Sequence, residues 1–145
     1  MAGYKHSKDA VFGYFGDIDS NIAKLKALEF KKFQIKDGME QKEIMMLLSG
    51  LLTTPKVEEY KKVQLKIFET IGRISASIDS VYILAGIEAD NPEFAETKDN
   101  WKKIRDLAKP MVAAITSSSP SILAVMEAKD LITNVLSALP AIPEH

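Results

Sequence analysis

Apolar residues recur along this chain at spacings of three and four, and three proline pairs divide the recurrences. After Thr54-Pro55 the row runs Tyr60, Val63, Ile67, Ile71, Ile74, Ile78, Val81, Tyr82 and Ala85. After Asn91-Pro92 it runs Phe94, Trp101, Ile104, Ala108, Met111, Val112 and Ile115. After Ser119-Pro120 it runs Leu123, Met126, Leu131, Ile132, Val135, Leu136 and Leu139. Rows of this period put one side of an α-helix into a core. Each pair also joins a helix-capping residue type to a proline, whose missing N–H costs nothing in a first helical turn. The pattern predicts one long helix over about 55–88, a second beginning after Pro92 and kinked or ended at Pro110, and a third over about 120–138.

Upstream of Thr54 the pattern is less regular. Asp19-Ser20-Asn21 has the composition of an N-cap for a helix carrying Ile22, Leu25, Leu28 and Phe33, which Gly38 would end. A further helix is expected from about Met39 to Leu52. Residues 1–17 are expected as a loosely ordered arm holding at most a helical turn, and 140–145 as a tail. Sustained alternation and Asn-Gly hairpin turns are absent. The expectation is an all-α protein, a single-domain helical bundle of about five helices spanning 1–145, without internal repeats.

The helix from Pro55 to Ile87 would measure ~50 Å at ~1.5 Å per residue, whereas a compact domain of this size is ~35–40 Å across. An elongated bundle or a bend is therefore expected, with Gly72 the natural place to bend. Gly72, Ala76 and Ser80 also form a row of small residues, suited to close helix packing inside the fold or to a self-association seam.

Charge changes the picture at the C-terminal end. From Pro110 onward only Glu127, Lys129, Asp130 and Glu144 are charged, and MVAAITSSSPSILAVM carries no charge at all. A helix that is apolar on most sides belongs at the centre of a bundle; placed at the edge, its open side would be an interface. The stretch KEIMMLLSGLL raises the same choice. In a helix Ile44, Leu47, Leu48 and Leu51 would face the core, while Met45, Met46 and Leu52 widen the arc beyond what one core contact needs. Methionine on such a flank adapts equally to a core gap or to a partner.

Composition narrows the chemistry. Apolar residues make up 46% and charged residues 27%, with a net charge of −1, which gives no general electrostatic grip on nucleic acid or anionic lipid. No apolar run approaches the ~20 residues of a membrane span, and no signal peptide is visible, which leaves the compartment open. Cysteine is absent and histidine occurs only at His6 and His145, so thiolate sites, histidine metal sites and Ser-His relays lack their components. Asp17-Ile18-Asp19-Ser20-Asn21 opens like a calcium loop, but the glycine and the glutamate such a loop needs are replaced by Ile22 and Leu28. Asp37, Glu40 and Glu43 are acids at a helix start, placed either to favour the helix dipole or to gather a cation. Trp101 shares a face with Ile104 and Ala108 and is expected in the core; Tyr60 and Tyr82 sit on the apolar stripe of the long helix and would need a hydrogen-bond partner if buried.

No cofactor is called for and no catalytic residue set is visible, so an enzyme is not expected. The leading expectation is a non-catalytic interaction module that contacts another protein or itself through Met45, Met46, Leu52, Ile122 and Val125. Two alternatives stay open: a carrier holding an apolar small molecule or lipid between helices, lined by the methionines and Tyr82, and a protein that inserts reversibly into membranes around Ser117-Ser118-Ser119.

Overall fold

Every element is helical. The computed structural model describes residues 3–49, 54–90, 95–117 and 119–139. Among these lie five α-helices, α1 (Gly3–Asp37), α2 (Gln41–Ser49), α3 (Pro55–Asp90), α4 (Lys98–Thr116) and α5 (Ile122–Ser137), with a short 3-10 turn at Ala95–Thr97 and no strand. The all-α bundle expected from the periodicity is present. The helices gather into two compact units. One is Ser20–Gly72, containing the second half of α1, all of α2 and the first half of α3. The other joins the residues up to Asp19 with those from Arg73 onward, and so contains the remaining halves of α1 and α3 with α4 and α5.

In the second unit the core is built from rows at helical spacing. Val11, Phe15 and Ile18 come from α1; Ile74, Ile78, Val81, Ala85 and Ala89 from α3; Trp101, Ile104, Ala108, Met111 and Ile115 from α4. Trp101 is fully buried, and its indole N–H finds no acceptor among the described residues. Phe94, expected beside it, lies outside the described residues, as do Pro92, the tail 140–145 and Ser118. The Ser7 hydroxyl donates to the Glu88 carboxylate at 2.6 Å, closing α1 onto the end of α3.

Two expectations about the N-terminal segment are corrected together. There is no loose arm followed by a cap at Asp19: α1 runs without a break from Gly3, and Val11, Phe15 and Ile18 are buried. Gly13 and Gly16 lie on the exposed face of this helix, where an added Cβ would meet no atom within 4 Å. Asp19 is bound to α5 instead, accepting from the Lys129 ammonium at 2.6 Å.

That ion pair also accounts for the part of the expected α5 row that is not covered: Ile132, Leu136 and Leu139 are buried as expected, Leu123 and Leu131 are not. Its covered positions are Val125, Lys129, Ile132, Leu136 and, just past the helix, Leu139, a 4-3-4-3 series with a lysine inside it. The Lys129 side chain is only 13% exposed. Leu123 and Leu131, counted in the row from their hydrophobicity, stand exposed. Thus α5 is not the central helix: it packs on α4 along one stripe and leaves its other side open. Its N-cap is Ser121, whose side chain accepts from the Ala124 N–H at 3.2 Å, two residues later than expected.

Pro110 neither ends nor interrupts α4, which continues to Thr116. Pro110 lies on the exposed side of the helix. The small-residue row on α3 is likewise not a close helix contact. A Cβ added at Gly72 would meet no atom within 4 Å, Ala76 is exposed, and the Ser80 hydroxyl donates to its own helix at the Ala76 carbonyl. Helical geometry continues through Gly72.

These positions yield paired expectations. Ile132→Ala should lower the unfolding free energy by about 2–4 kcal/mol and the neighbouring Leu131→Ala by less than about 1, as read from urea midpoints; equal losses would mean that α5 is rotated otherwise. Asp19→Asn, which strands a mostly covered ammonium, should cost more than Lys129→Met, which keeps the apolar stem and removes the charge.

Candidate functional site

Within Ser20–Gly72 the covered residues are few: Ile22, Leu25, Met39, Val57, Val63, Ile67 and Thr70. Among the described residues of this unit many large apolar side chains remain outside. Phe30 and Phe33 on α1, Met45 and Leu48 on α2, and Leu65 and Phe68 on α3 are all exposed. Lys32 of α1 meets Tyr60 of α3, the ammonium 5.5 Å from the ring centre.

The setting of α2 is decided by one carboxylate. Glu43 accepts from the Glu40 backbone N–H at 3.2 Å, the reciprocal half of a capping box. Its other oxygen accepts from the Thr54 hydroxyl at 2.9 Å. Thr54 in turn caps α3, accepting from the Val57 N–H at 3.2 Å on its side chain and from the Glu58 N–H at 2.9 Å on its carbonyl. Beside them the Lys56 ammonium donates to the Gly38 carbonyl at 2.6 Å, at the end of α1. The Glu40 N–H and the Thr54 hydroxyl, with Lys56 and Lys42 nearby, hold the Glu43 carboxyl below its ordinary value. Glu43 thus serves two helix starts, and among the described residues no three acidic or histidine side chains are placed to hold a metal ion.

With Glu43 drawn inward, α2 keeps the expected Ile44 and Leu47 on its covered side and turns Leu48 out. Its covered flank is Glu43, Ile44, Met46 and Leu47, none of them fully buried. Leu48, expected in the core, is 83% exposed, and Met45 is 63% exposed. Met46 is half-buried on the covered side, and Leu52 lies outside the described residues. Of the α5 candidates, Ile122 is half-buried and Val125 is wholly inside, at 0% exposure. Val125 is therefore a core residue and not a contact residue, for the reason Lys129 supplies. The open apolar side chains on that helix are Leu123 and Leu131.

A different surface, which the sequence did not single out, lies between α3 and α4. Two adjoining hollows of about 460 and 620 Å³ meet at Tyr82, and both open to solvent. The first is lined by Ile83, Gly86, Ile87, Asp90 and Arg105, the second by Asp79, Lys109, Pro110, Val112 and Ala113. Ile83 and Ile87 are exposed although they belong to a long helix that buries its opposite side. The Arg105 guanidinium lies 3.7 Å from the Asp90 carboxylate, and its stem would be 3.7 Å from a Cβ placed at Gly86. The signal for this groove was present in the sequence as a second apolar series on α3, offset from the main one.

Comparison of the chain with protein-family models, with curated proteins and with solved structures finds no match.

The depressed Glu43 carboxyl has a definite pH signature. A lowered folded-state value stabilises above the ordinary carboxylate range, and that stabilisation is lost as pH falls through the lowered value. Protection factors of the α2 amides, with the intrinsic slowing of exchange in acid divided out, should fall on acidification in the wild type, and Glu43→Gln should flatten the dependence. Wild-type α2 protection that ignores acidification would sink the assignment.

Proposed function

We propose that this chain is a non-catalytic interaction module that contacts proteins, itself among them, through the open apolar faces of its helices. The observation that carries the reading is the set of large apolar side chains left exposed in neighbouring positions: Phe30 with Phe33, Met45 with Leu48, Leu65 with Phe68, and Ile83 with Ile87. Single exposed apolar residues are ordinary on protein surfaces, whereas repeated pairs one turn apart on the same helices mark surfaces that are costly in water and are stabilised when a partner covers them. Methionine and leucine on α2 add adaptable contact area.

A carrier of apolar ligands is supported less, because it requires an enclosed cavity and both described hollows are open grooves. Among the described residues no helix is long and apolar enough to cross a membrane.

The reading is tested by light scattering from micromolar to millimolar concentration, joined to crosslinking mass spectrometry in extract of the source cells. Expected are a mass above the monomer, or crosslinks to a partner, centred on the exposed pairs. Met45→Lys combined with Leu48→Lys should keep the helical circular dichroism and Tm within a few degrees while reducing contacts made by α2. A chain that stays monomeric throughout and crosslinks to nothing would remove the proposal.

A further inference from the structure

We infer that this chain binds a second copy of itself through unlike faces, the outer side of α5 in one copy lying along the Lys61–Phe68 stretch of α3 in the next. The inference rests on the interaction-module reading and adds the partner and the two faces. Its ground is a division of charge. Ser20–Gly72 holds ten lysines against seven acids, and the rest of the chain holds nine cations against thirteen acids. The division is sharpest on two exposed helix faces. Residues 60–68 carry the exposed Lys61, Lys62 and Lys66 and no acid, beside the exposed Leu65 and Phe68. On α5 the single cation, Lys129, is turned inward onto Asp19, so Glu127 and Asp130 are the charges left beside the exposed Leu131.

The two faces match in spacing as well as in sign. With the helices laid parallel and Leu131 opposite Leu65, a turn of ~100° per residue puts Glu127 and Asp130 on the flank of α5 that meets Lys62 and Lys66. Glu127 is then one residue short of Lys62 in height, and Asp130 lies midway between Lys62 and Lys66, so opposite charges are offset along the axis by no more than ~3 Å. Phe68 comes level with Asn134 and packs toward Val135, which is half-buried in its own chain. The acids that bound the basic stretch, Glu58 and Glu69, come level with Ala124 and Val135, so no acid is set level with another. Among the described residues Glu127, Asp130, Lys62 and Lys66 have no ion-pair partner within their own chain. Each copy carries both halves of the contact, which makes the interface heterologous. The stretch from Lys61 to Phe68 spans only ~10 Å, well short of a standard interface, so a dissociation constant on the order of 100 μM is expected.

Sedimentation velocity of the full chain, from micromolar to millimolar concentration, tests this with two blocked variants. Leu131→Lys sets a cation against the basic face and Leu65→Glu sets an acid against the acidic one. Each alone should weaken association about tenfold or more, with helical circular dichroism and Tm kept because both side chains are exposed. An equimolar mixture leaves one intact face on each variant and should give a one-to-one dimer with wild-type affinity. Added salt should weaken the wild-type contact, since its flanking charges are exposed. Loss in only one of the two variants would mean that like faces meet and overturns the inference, as does a mixture that stays monomeric. A strict wild-type monomer overturns it too, and leaves the interaction reading standing if crosslinks to another protein persist.

Discussion

A lysine on the covered side of a helix must find a carboxylate or turn the helix over. In this protein Lys129 finds Asp19, at 2.6 Å, and the arrangement of the four-helix unit follows from that contact. With Lys129 held inward, Val125, Ile132 and Leu136 are carried into the core and Leu123 and Leu131 are carried out. The burial of three large apolar side chains, at roughly 1.5–3 kcal/mol each, outweighs the desolvation of one ammonium that keeps an ion-pair partner. Asp19 is spent in the same contact, which removes it from the capping role its neighbours Ser20 and Asn21 suggest, and α1 runs on.

Glu43 plays the corresponding part in the other unit, with hydrogen bonds in place of burial. It is exposed enough to stay charged, and it satisfies the orphan Glu40 N–H at the start of α2 while holding the Thr54 hydroxyl that caps α3. Because the carboxylate must reach Thr54, the flank of α2 that carries it faces inward and the Met45–Leu48 side faces out. In both units, then, a polar contact chooses the rotation of a helix, and the apolar residues on the rejected side become surface. The exposed pairs are a consequence of this choice. Helices two and a half to ten turns long present more apolar arc than a single seam can cover.

Much of this was legible along the chain. The α3 row from Val63 to Ala85, the α4 row from Trp101 to Ile115 and the cap at Thr54-Pro55 follow from spacing alone, because a helix packing on one side repeats every three to four residues whatever it packs against. The extent of α1 was not legible, since Gly13 and Gly16 weaken a helix only where nothing else supports it, and the support comes from residues far along the chain. Pro110 misled for a related reason: a carbonyl without a helix donor costs little on an exposed face, and the helix continues. The α3/α4 groove escaped notice because Ile83 and Ile87 sit among residues of the main row and are separated from it only by which side is covered.

By itself the sequence determined the helical class, the approximate span of α3 and of the C-terminal helix, and the absence of cysteine, all of which depend on residue type and local period. Only the tertiary structure decided which flank of each wide apolar arc is covered: that Val125 is core and Leu131 is surface, that Leu48 points out and Met46 partly in, that Asp37, Glu40 and Glu43 form no cation cluster among the described residues. The reason is that hydrophobicity sets how much surface a helix must hide, while the rotation that hides it is set by single polar contacts, Lys129 with Asp19 and Glu43 with Thr54. Their partners lie 110 and 11 residues away.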